Sequence, residues 1–152
     1  MTGKRLFFIF FGLVLLVSFM GAQEEKTPAR VFPPQAIIIA SYRGDDRMVR
    51  EILATAPDKE VRDALGATAL HAAMYQTNLV VIKLLLDDGF DPNAKDANGC
   101  TPLHLAVTAN NVGAARLLLQ YGADESIKGV DGLTPLAKAR RDEKRAMINL
   151  LY

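Results

Sequence analysis

The stretch GCTPLHLAV at residues 99–107 decides the fold expected for this chain. Thr101 suits the position before a helix, because its hydroxyl can accept from the free N–H groups of the first turn. Pro102 suits the first helical position, where no N–H donor is needed. The side chains that follow are mostly small and apolar, so a helix here would let neighbouring segments approach closely. The stretch therefore predicts a short helix that begins after Thr101.

The same pattern recurs once before and once after this stretch, at one constant period. Each copy has a glycine, a threonine two positions later and a leucine two positions after that: Gly66, Thr68 and Leu70, then Gly99, Thr101 and Leu103, then Gly132, Thr134 and Leu136. The leucine triplet at 84–86 likewise recurs at 117–119. Agreement at so many positions indicates an array built from one repeated unit.

The rest of each unit has the pattern of a second helix and a turn. Apolar side chains at spacings of three and four, typical of a helix packed on one side, are Val81, Ile82, Leu85 and Leu86. Gly89 and Gly122 follow where the end of a helix favours a left-handed residue. The stretches 96–99 and 129–132, which lie between units, have the composition of tight turns. Each unit is therefore predicted to be a helix-turn-helix.

These motifs resemble the ankyrin repeat family. TPLHLA at 101–106 looks like the signature hexapeptide of that family, and Gly122-Ala123-Asp124 looks like its post-helix motif. The resemblance implies an all-α ankyrin repeat solenoid of about four helix-turn-helix units joined by tight turn or hairpin loops. The expected domain spans 35–152, about 120 of the 152 residues, with units at 35–62, 63–95, 96–128 and 129–152.

The first and last units depart from the family pattern. The first unit lacks the Thr and His of the motif, and Ile37-Ile38-Ile39 occupy that register. Gly44 falls where the family has its mid-repeat glycine, and the last unit has Ala137 in place of His. Both units carry many charged side chains, as the outer surface of a terminal repeat requires. We therefore expect them to cap the array.

Residues 1–22 have the features of a secretory signal peptide. A short cationic start precedes an uncharged run from Leu6 to Met20, whose 15 residues fall short of the roughly 20 that span a bilayer. We expect cleavage after Ala22; a retained membrane anchor is the alternative, because Met20 is larger than the usual residue at that place. Residues 23–34 contain three prolines and are predicted to be a linker. The folded part is thus expected in the periplasm or outside the cell.

Composition excludes several classes of function. Without the leader, 16 basic and 17 acidic side chains remain, a formal charge of −1, whereas nucleic-acid binders usually have a strong basic surface. The single Cys100 excludes an internal disulfide and any zinc or iron–sulfur site built from several cysteines. It lies at a turn tip and is expected to be exposed. The mixed charges of 138–145 indicate a solvated surface.

No catalytic or metal site is expected. His71 and His104 lie one repeat apart, and no third ligand or partner acid accompanies them. In the family this histidine is structural and bonds to the Thr of its own motif and to the loop of the next unit. The acidic stretch 87–98 does not match the twelve-residue calcium loop. We predict no enzyme activity, no cofactor, no metal and no small-molecule substrate.

Partner-binding residues are expected on the concave surface, where partners of this family usually dock on the turn tips and first helices. Positions there that the fold leaves free form columns, each member one period from the next. Tyr and Arg most often carry interface energy. The candidates in these columns are Tyr42, Arg43, Leu65, Tyr75, Gln76, Asn98, Thr108 and Arg141. Tyr121, just before Gly122, is a further exposed candidate.

The resemblance thus implies a monomeric, non-catalytic module that binds a protein partner, with an accessory, protective or immunity-type role. The alternative is a membrane-tethered ankyrin scaffold, in which the leader is retained and is the chain's sole contact with the membrane. An enzyme or metal-dependent factor is disfavoured by the missing catalytic groups.

Overall fold

The computed structural model describes residues 30–76 and 78–152. The predicted signal peptide, its cleavage site and the linker up to residue 29 lie outside the described residues. Residues from Phe32 to Tyr152 form one compact unit. None of the helices in the described part of the chain is long and apolar enough to cross a membrane.

Eight helices, and no strand, form within residues 30–76 and 78–152. In chain order they are α1 (Ala36–Arg43), α2 (Asp46–Leu53), α3 (Ala69–Ala73), α4 (Leu79–Asp87), α5 (Pro102–Thr108), α6 (Val112–Gln120), α7 (Pro135–Arg141) and α8 (Arg145–Leu151). Odd-numbered helices are the first helices of the four units and even-numbered helices are the second. The predicted all-α solenoid of four helix-turn-helix units is confirmed.

The helices stack in two rows. The first helices α1, α3, α5 and α7 each contact the next in the series, and so do the second helices α2, α4, α6 and α8. One continuous core of apolar side chains fills the space between the rows, and its fully buried members include Leu70, Ile82, Leu85, Leu103 and Leu118. The apolar positions that repeat in the sequence are therefore the positions that units share with their neighbours.

In the last three units, a polar side chain at the start of the second helix ties that helix to the unit before it. Asn78 caps α4 by accepting from the N–H of Val80, and its Nδ2 donates to the carbonyl of Gly44 at 2.9 Å. Asn111 caps α6 in the same way, with its Nδ2 3.5 Å from the carbonyl of Gln76. Lys144 stands in this place before α8. The sequence analysis identified no role for these three junction side chains.

In the first, third and fourth units, the residue between the two helices has a left-handed backbone. Gly44 has φ of 68°, and the equivalent residues Asn110 and Glu143 both have φ of 54°. Glycine adopts this conformation freely and asparagine is tolerated there, whereas a longer side chain is strained. The mid-repeat glycine of the first unit therefore matches its backbone, and Glu143 of the last unit does not.

Replacing Glu143 by Gly should raise the free energy of unfolding by about 1 kcal/mol, because glycine removes the left-handed strain. Urea unfolding followed by circular dichroism measures the change. Glu143→Ala is the control, since it removes the same exposed side chain and keeps the strain. Equal stability of the two variants would contradict the explanation.

Candidate partner-binding surface

Three hairpins lie between the units, and we call residues 63–67, 96–100 and 129–133 the tip hairpins. In the first, the N–H of Asp63 donates to the carbonyl of Ala67 at 3.0 Å, and the N–H of Gly66 donates back to Asp63 at 3.0 Å. The other two repeat both bonds at 2.9–3.1 Å. Gly66 has φ of 72°, which a side chain would strain. The repeated glycine thus marks the turn of each hairpin.

Adjacent tip hairpins are joined by backbone hydrogen bonds, which we call the tip ladder. The N–H of Ala97 donates to the carbonyl of Leu65, and the N–H of Val130 donates to the carbonyl of Asn98, both at 3.0 Å. Arg62 also links the first two tips, because its guanidinium donates to the carbonyls of Gly66 at 2.9 Å and Lys95 at 2.7 Å. The tips therefore keep a fixed spacing along the array.

His71 connects its own helix to the next tip hairpin. Its Nε2 lies 3.0 Å from the carbonyl oxygen of Cys100, which can only accept, so Nε2 carries the proton. The other nitrogen, Nδ1, accepts from the backbone N–H of Thr68 at 3.2 Å. The ring is fully buried. This side chain therefore bridges two units as a neutral imidazole.

His104 repeats this arrangement one unit later. Its Nδ1 accepts from the N–H of Thr101 at 3.2 Å, and its Nε2 donates to the carbonyl of Leu133 at 3.1 Å. These contacts confirm the predicted structural role of both histidines, with bonds to the motif Thr and to the next loop. Burial lowers the pKa of His71 and of His104, so both rings are held neutral.

Acidification below about pH 6.5 should destabilise the protein. The unfolded chain has histidines with an ordinary pKa and binds protons first, so the free energy of unfolding falls as the pH drops towards the lower pKa of the folded state. Urea unfolding at about pH 7.5 and about pH 5.5 measures this loss. His104→Ala keeps one of the two rings and should show a smaller loss. A stability independent of pH in this range would contradict the neutral-ring assignment.

Cys100 is half-buried, so the expectation that it is exposed was wrong. The next tip hairpin covers it: a Cβ placed on Gly129 would lie 3.6 Å from its Sγ. Burial, followed by the charge of Asp96, raises the pKa of the Cys100 thiol, which disfavours the reactive thiolate. Within the described part of the chain, no group of three or more His, Cys, Asp or Glu side chains is placed to hold a metal ion.

A groove of about 790 Å³ opens between α1, α3 and the first two tip hairpins. Its walls carry four large apolar side chains that are strongly exposed: Ile39 at 50%, Tyr42 at 56%, Leu65 at 67% and Tyr75 at 63%. The rings of Tyr42 and Tyr75 lie 5.7 Å apart between centroids, with their planes tilted by 50°. Exposed apolar side chains gathered in one depression are typical of a binding site.

The groove brings together five of the nine predicted partner-binding residues, namely Tyr42, Arg43, Leu65, Tyr75 and Asn98. The other four do not line it. Thr108 donates to the carbonyl of His104 within its own helix, and Arg141 pairs with Asp142 at 2.8 Å. Gln76 lies against Gly44, where a Cβ would be 3.4 Å from it.

Tyr121 lies with the second helices rather than with the groove. Its hydroxyl donates to Asp87 of α4, and the ammonium of Lys83 lies 3.3 Å from the same hydroxyl and 6.0 Å from the ring centroid. Tyr121 directly follows α6, a second helix, so its position along the unit separates it from the tip hairpins. It was predicted as a further exposed candidate outside the columns, and it is 37% exposed.

Sequence reasoning missed one apolar column of the groove. Ile39, Ala72 and Leu105 all line it and are one period apart, next to the column that contains Tyr42 and Tyr75. The spacing could have found them. A run of three isoleucines suggests burial in the core, however, so the exposure of its last member, Ile39, is not evident from the sequence. The structure buries Ile37 and Ile38 and leaves Ile39 half exposed.

Comparison with known proteins agrees with the architecture. No curated protein matches the chain. A family model described as ankyrin repeats (3 copies) matches residues 37–129 and 89–152, which together include all eight described helices except the first residue of α1. Because the match extends over most of the sequence, the chain belongs to the ankyrin repeat family.

Proposed function

We propose that this chain is an exported, non-catalytic module that binds a protein partner in the groove between α1, α3 and the first two tip hairpins. Ankyrin repeats are in general protein–protein interaction modules. The observation that carries the proposal is the exposure of Ile39, Tyr42, Leu65 and Tyr75 in one depression. Covering these side chains would remove a contiguous apolar surface from water, which is the main driving force of association.

The polar groups of the groove favour a protein partner. Among the described residues, no hydrogen bond engages the hydroxyl of Tyr42 or Tyr75, and no ion pair engages Arg43. These groups can therefore bond to a partner without first losing an internal contact. Tyr75 belongs to a unit held by the tip ladder and by His71, so little ordering cost accompanies binding on that side.

The proposed location rests on the leader. A cationic start and a 15-residue apolar run support export to the periplasm or the cell exterior, where the module would have an accessory, protective or immunity-type role. A membrane-tethered scaffold is the second candidate, and the large Met20 near the expected cleavage site favours it.

Mass spectrometry of the exported protein should show a chain that begins at Gln23 or within one or two residues of it. A small-residue site after an apolar core directs signal peptidase to that bond. An intact Met1 in the membrane fraction would instead support the tethered scaffold.

The groove is tested by capture on beads from an extract of the producing cells. The wild-type protein and a Tyr152→Ala control should retain the same protein, and a Tyr42→Ala/Tyr75→Ala double variant should lose it. Tyr152 is 93% exposed and lies at the other end of the array. Tyr152→Ala therefore removes the same kind of side chain as the groove variant and leaves the groove unchanged. Equal retention by the double variant would reject the groove as the binding site.

A further inference from the structure

The charged side chains of the groove are divided between its two sides. The helix side, formed by the first helices, carries one cation, Arg43 at the end of α1. The tip side, formed by the first two tip hairpins, carries two carboxylates, Asp63 and Asp96, which are one period apart. All the other described residues that line the groove are uncharged. The groove therefore has a positive side and a negative side.

None of these three charges is neutralised within the described part of the chain. Arg43 forms no ion pair and no side-chain hydrogen bond there, and its side chain is exposed. Asp63 and Asp96 each use one oxygen, Oδ1, to accept two N–H groups of their own hairpin at 2.8–2.9 Å. The second oxygen of each accepts from no described residue. All three groups can therefore pair with a bound molecule without first breaking a contact.

The last unit shows how such charges pair when a first helix and a tip hairpin meet directly. There Arg141 of α7 lies 3.7 Å from Asp131 of the hairpin 129–133. The equivalent positions of the second unit hold Tyr75 and Leu65, large side chains that are 63% and 67% exposed. The second unit thus has an open apolar surface where the last unit has an internal ion pair, and the charges beside that surface are left for a partner.

We propose that the groove binds a short segment of the partner in which an apolar side chain is flanked by one basic and one acidic side chain. The apolar side chain covers Leu65 and Tyr75. The basic one pairs with Asp63 and Asp96, and the acidic one pairs with Arg43. The proposal rests on the groove being the binding site, and it adds the chemistry that the groove selects. Opposite charges on facing surfaces favour the complementary partner and disfavour partners of like charge.

Asparagine removes each carboxylate charge and keeps the tip hairpin. Asp63→Asn and Asp96→Asn retain an oxygen that accepts from the hairpin N–H groups, and asparagine suits this kind of turn. Asp91→Asn is the matched control, because the Oδ1 of Asp91 accepts from the N–H of Asn93 at 2.8 Å in the same way and Asp91 does not line the groove. Arg43→Gln removes the cation. Circular dichroism and thermal unfolding confirm that the variants fold.

The test uses four pools of nine-residue peptides that differ only in two charges. All pools share one randomised apolar centre, flanked by Lys and Glu in both orders, by Lys on both sides, by Glu on both sides or by Ser on both sides. Each pool is passed over the immobilised protein, purified from its producing cells, and the retained fraction is measured. We expect the pool with Lys and Glu to be retained about fivefold better than the others.

Fluorescence polarisation then measures the affinity of the best retained peptide for each variant. The Asp63→Asn/Asp96→Asn double variant should bind it about fivefold more weakly than wild type, and Arg43→Gln about threefold more weakly. Asp91→Asn should bind within about twofold of wild type, because its charge lies outside the groove.

Three outcomes would overturn the inference: no pool is retained, another pool is retained as well as the one with Lys and Glu, or either charge variant binds as tightly as Asp91→Asn. Tyr75→Ala distinguishes this failure from failure of the groove. If affinity falls for Tyr75→Ala and not for the charge variants, the groove stands and the charge pattern is rejected. If none of these variants weakens binding, both proposals fail.

Discussion

Replacing His104 by Ala will lower the free energy of unfolding by about 1–3 kcal/mol, because a buried backbone N–H and a partly buried carbonyl lose their partner. The carbonyl of Leu133 loses the proton of Nε2, and the N–H of Thr101 loses its acceptor Nδ1. The ring is 1% exposed; its bond to Thr101 is buried, and its bond to Leu133 is partly buried. The loss therefore includes the cost of leaving polar groups buried and unpaired.

Urea unfolding of His104→Ala against wild type measures this loss. Gln120→Ala, at an exposed position at the end of α6, is the control and should change stability little. The same samples test whether the histidines bind a metal ion. If their role is structural, added zinc or chelator should leave the melting temperature unchanged. A melting temperature that responds to metal would contradict the structural role.

Truncation of Tyr75 to Ala should weaken partner binding by more than about 1 kcal/mol, and by about 2 kcal/mol if it is one of the few dominant residues. Tyr75 contributes a ring to the pair with Tyr42 and a hydroxyl that no described residue engages. It is 63% exposed, so its removal should leave the fold intact. Titration of the captured partner by calorimetry measures the affinity, and circular dichroism checks folding.

Two variants complete this experiment. Tyr152→Ala should bind like wild type, because it removes the same side chain far along the array. Lys83→Ala alters the second-helix side, where Lys83 pairs with Asp87 at 2.7 Å and contacts Tyr121. If Lys83→Ala loses affinity while Tyr75→Ala does not, the partner docks on the second helices and the groove assignment is wrong.

The parts of the structure that repeat could be predicted from the sequence. Three glycines at a constant spacing mark the tip hairpins, and the family resemblance assigns both histidines their bonds, because identical residues at a fixed spacing imply identical environments. Tyr42 and Tyr75 come together for the same reason. These inferences need the period, the chemistry of one unit and, for the histidine bonds, the family resemblance.

The parts that depend on a missing or altered repeat could not be predicted in this way. Pro33 and Pro34 take the register of Gly66 and Ala67, and the turn from Pro33 to Ala36 leads directly into α1, which the period does not predict. Cys100 is half-buried because the following tip approaches it, which depends on backbone spacing rather than on residue type. Tyr121 is exposed as predicted, and its contacts with Lys83 and Asp87 lie on the second helices, because exposure alone does not say which row of helices a side chain belongs to.

The replacement of histidine by Ile38 in the first unit has a thermal consequence. Within the described residues, α1 sends no side-chain hydrogen bond to the hairpin 63–67, and the first helix is held mainly by apolar packing of residues such as Ile37 against its neighbours. Apolar stabilisation weakens on cooling. The junctions bridged by His71 and His104 depend less on apolar packing, because hydrogen bonds also hold them. Cold should therefore loosen this array from its first unit, at the end that forms one wall of the groove.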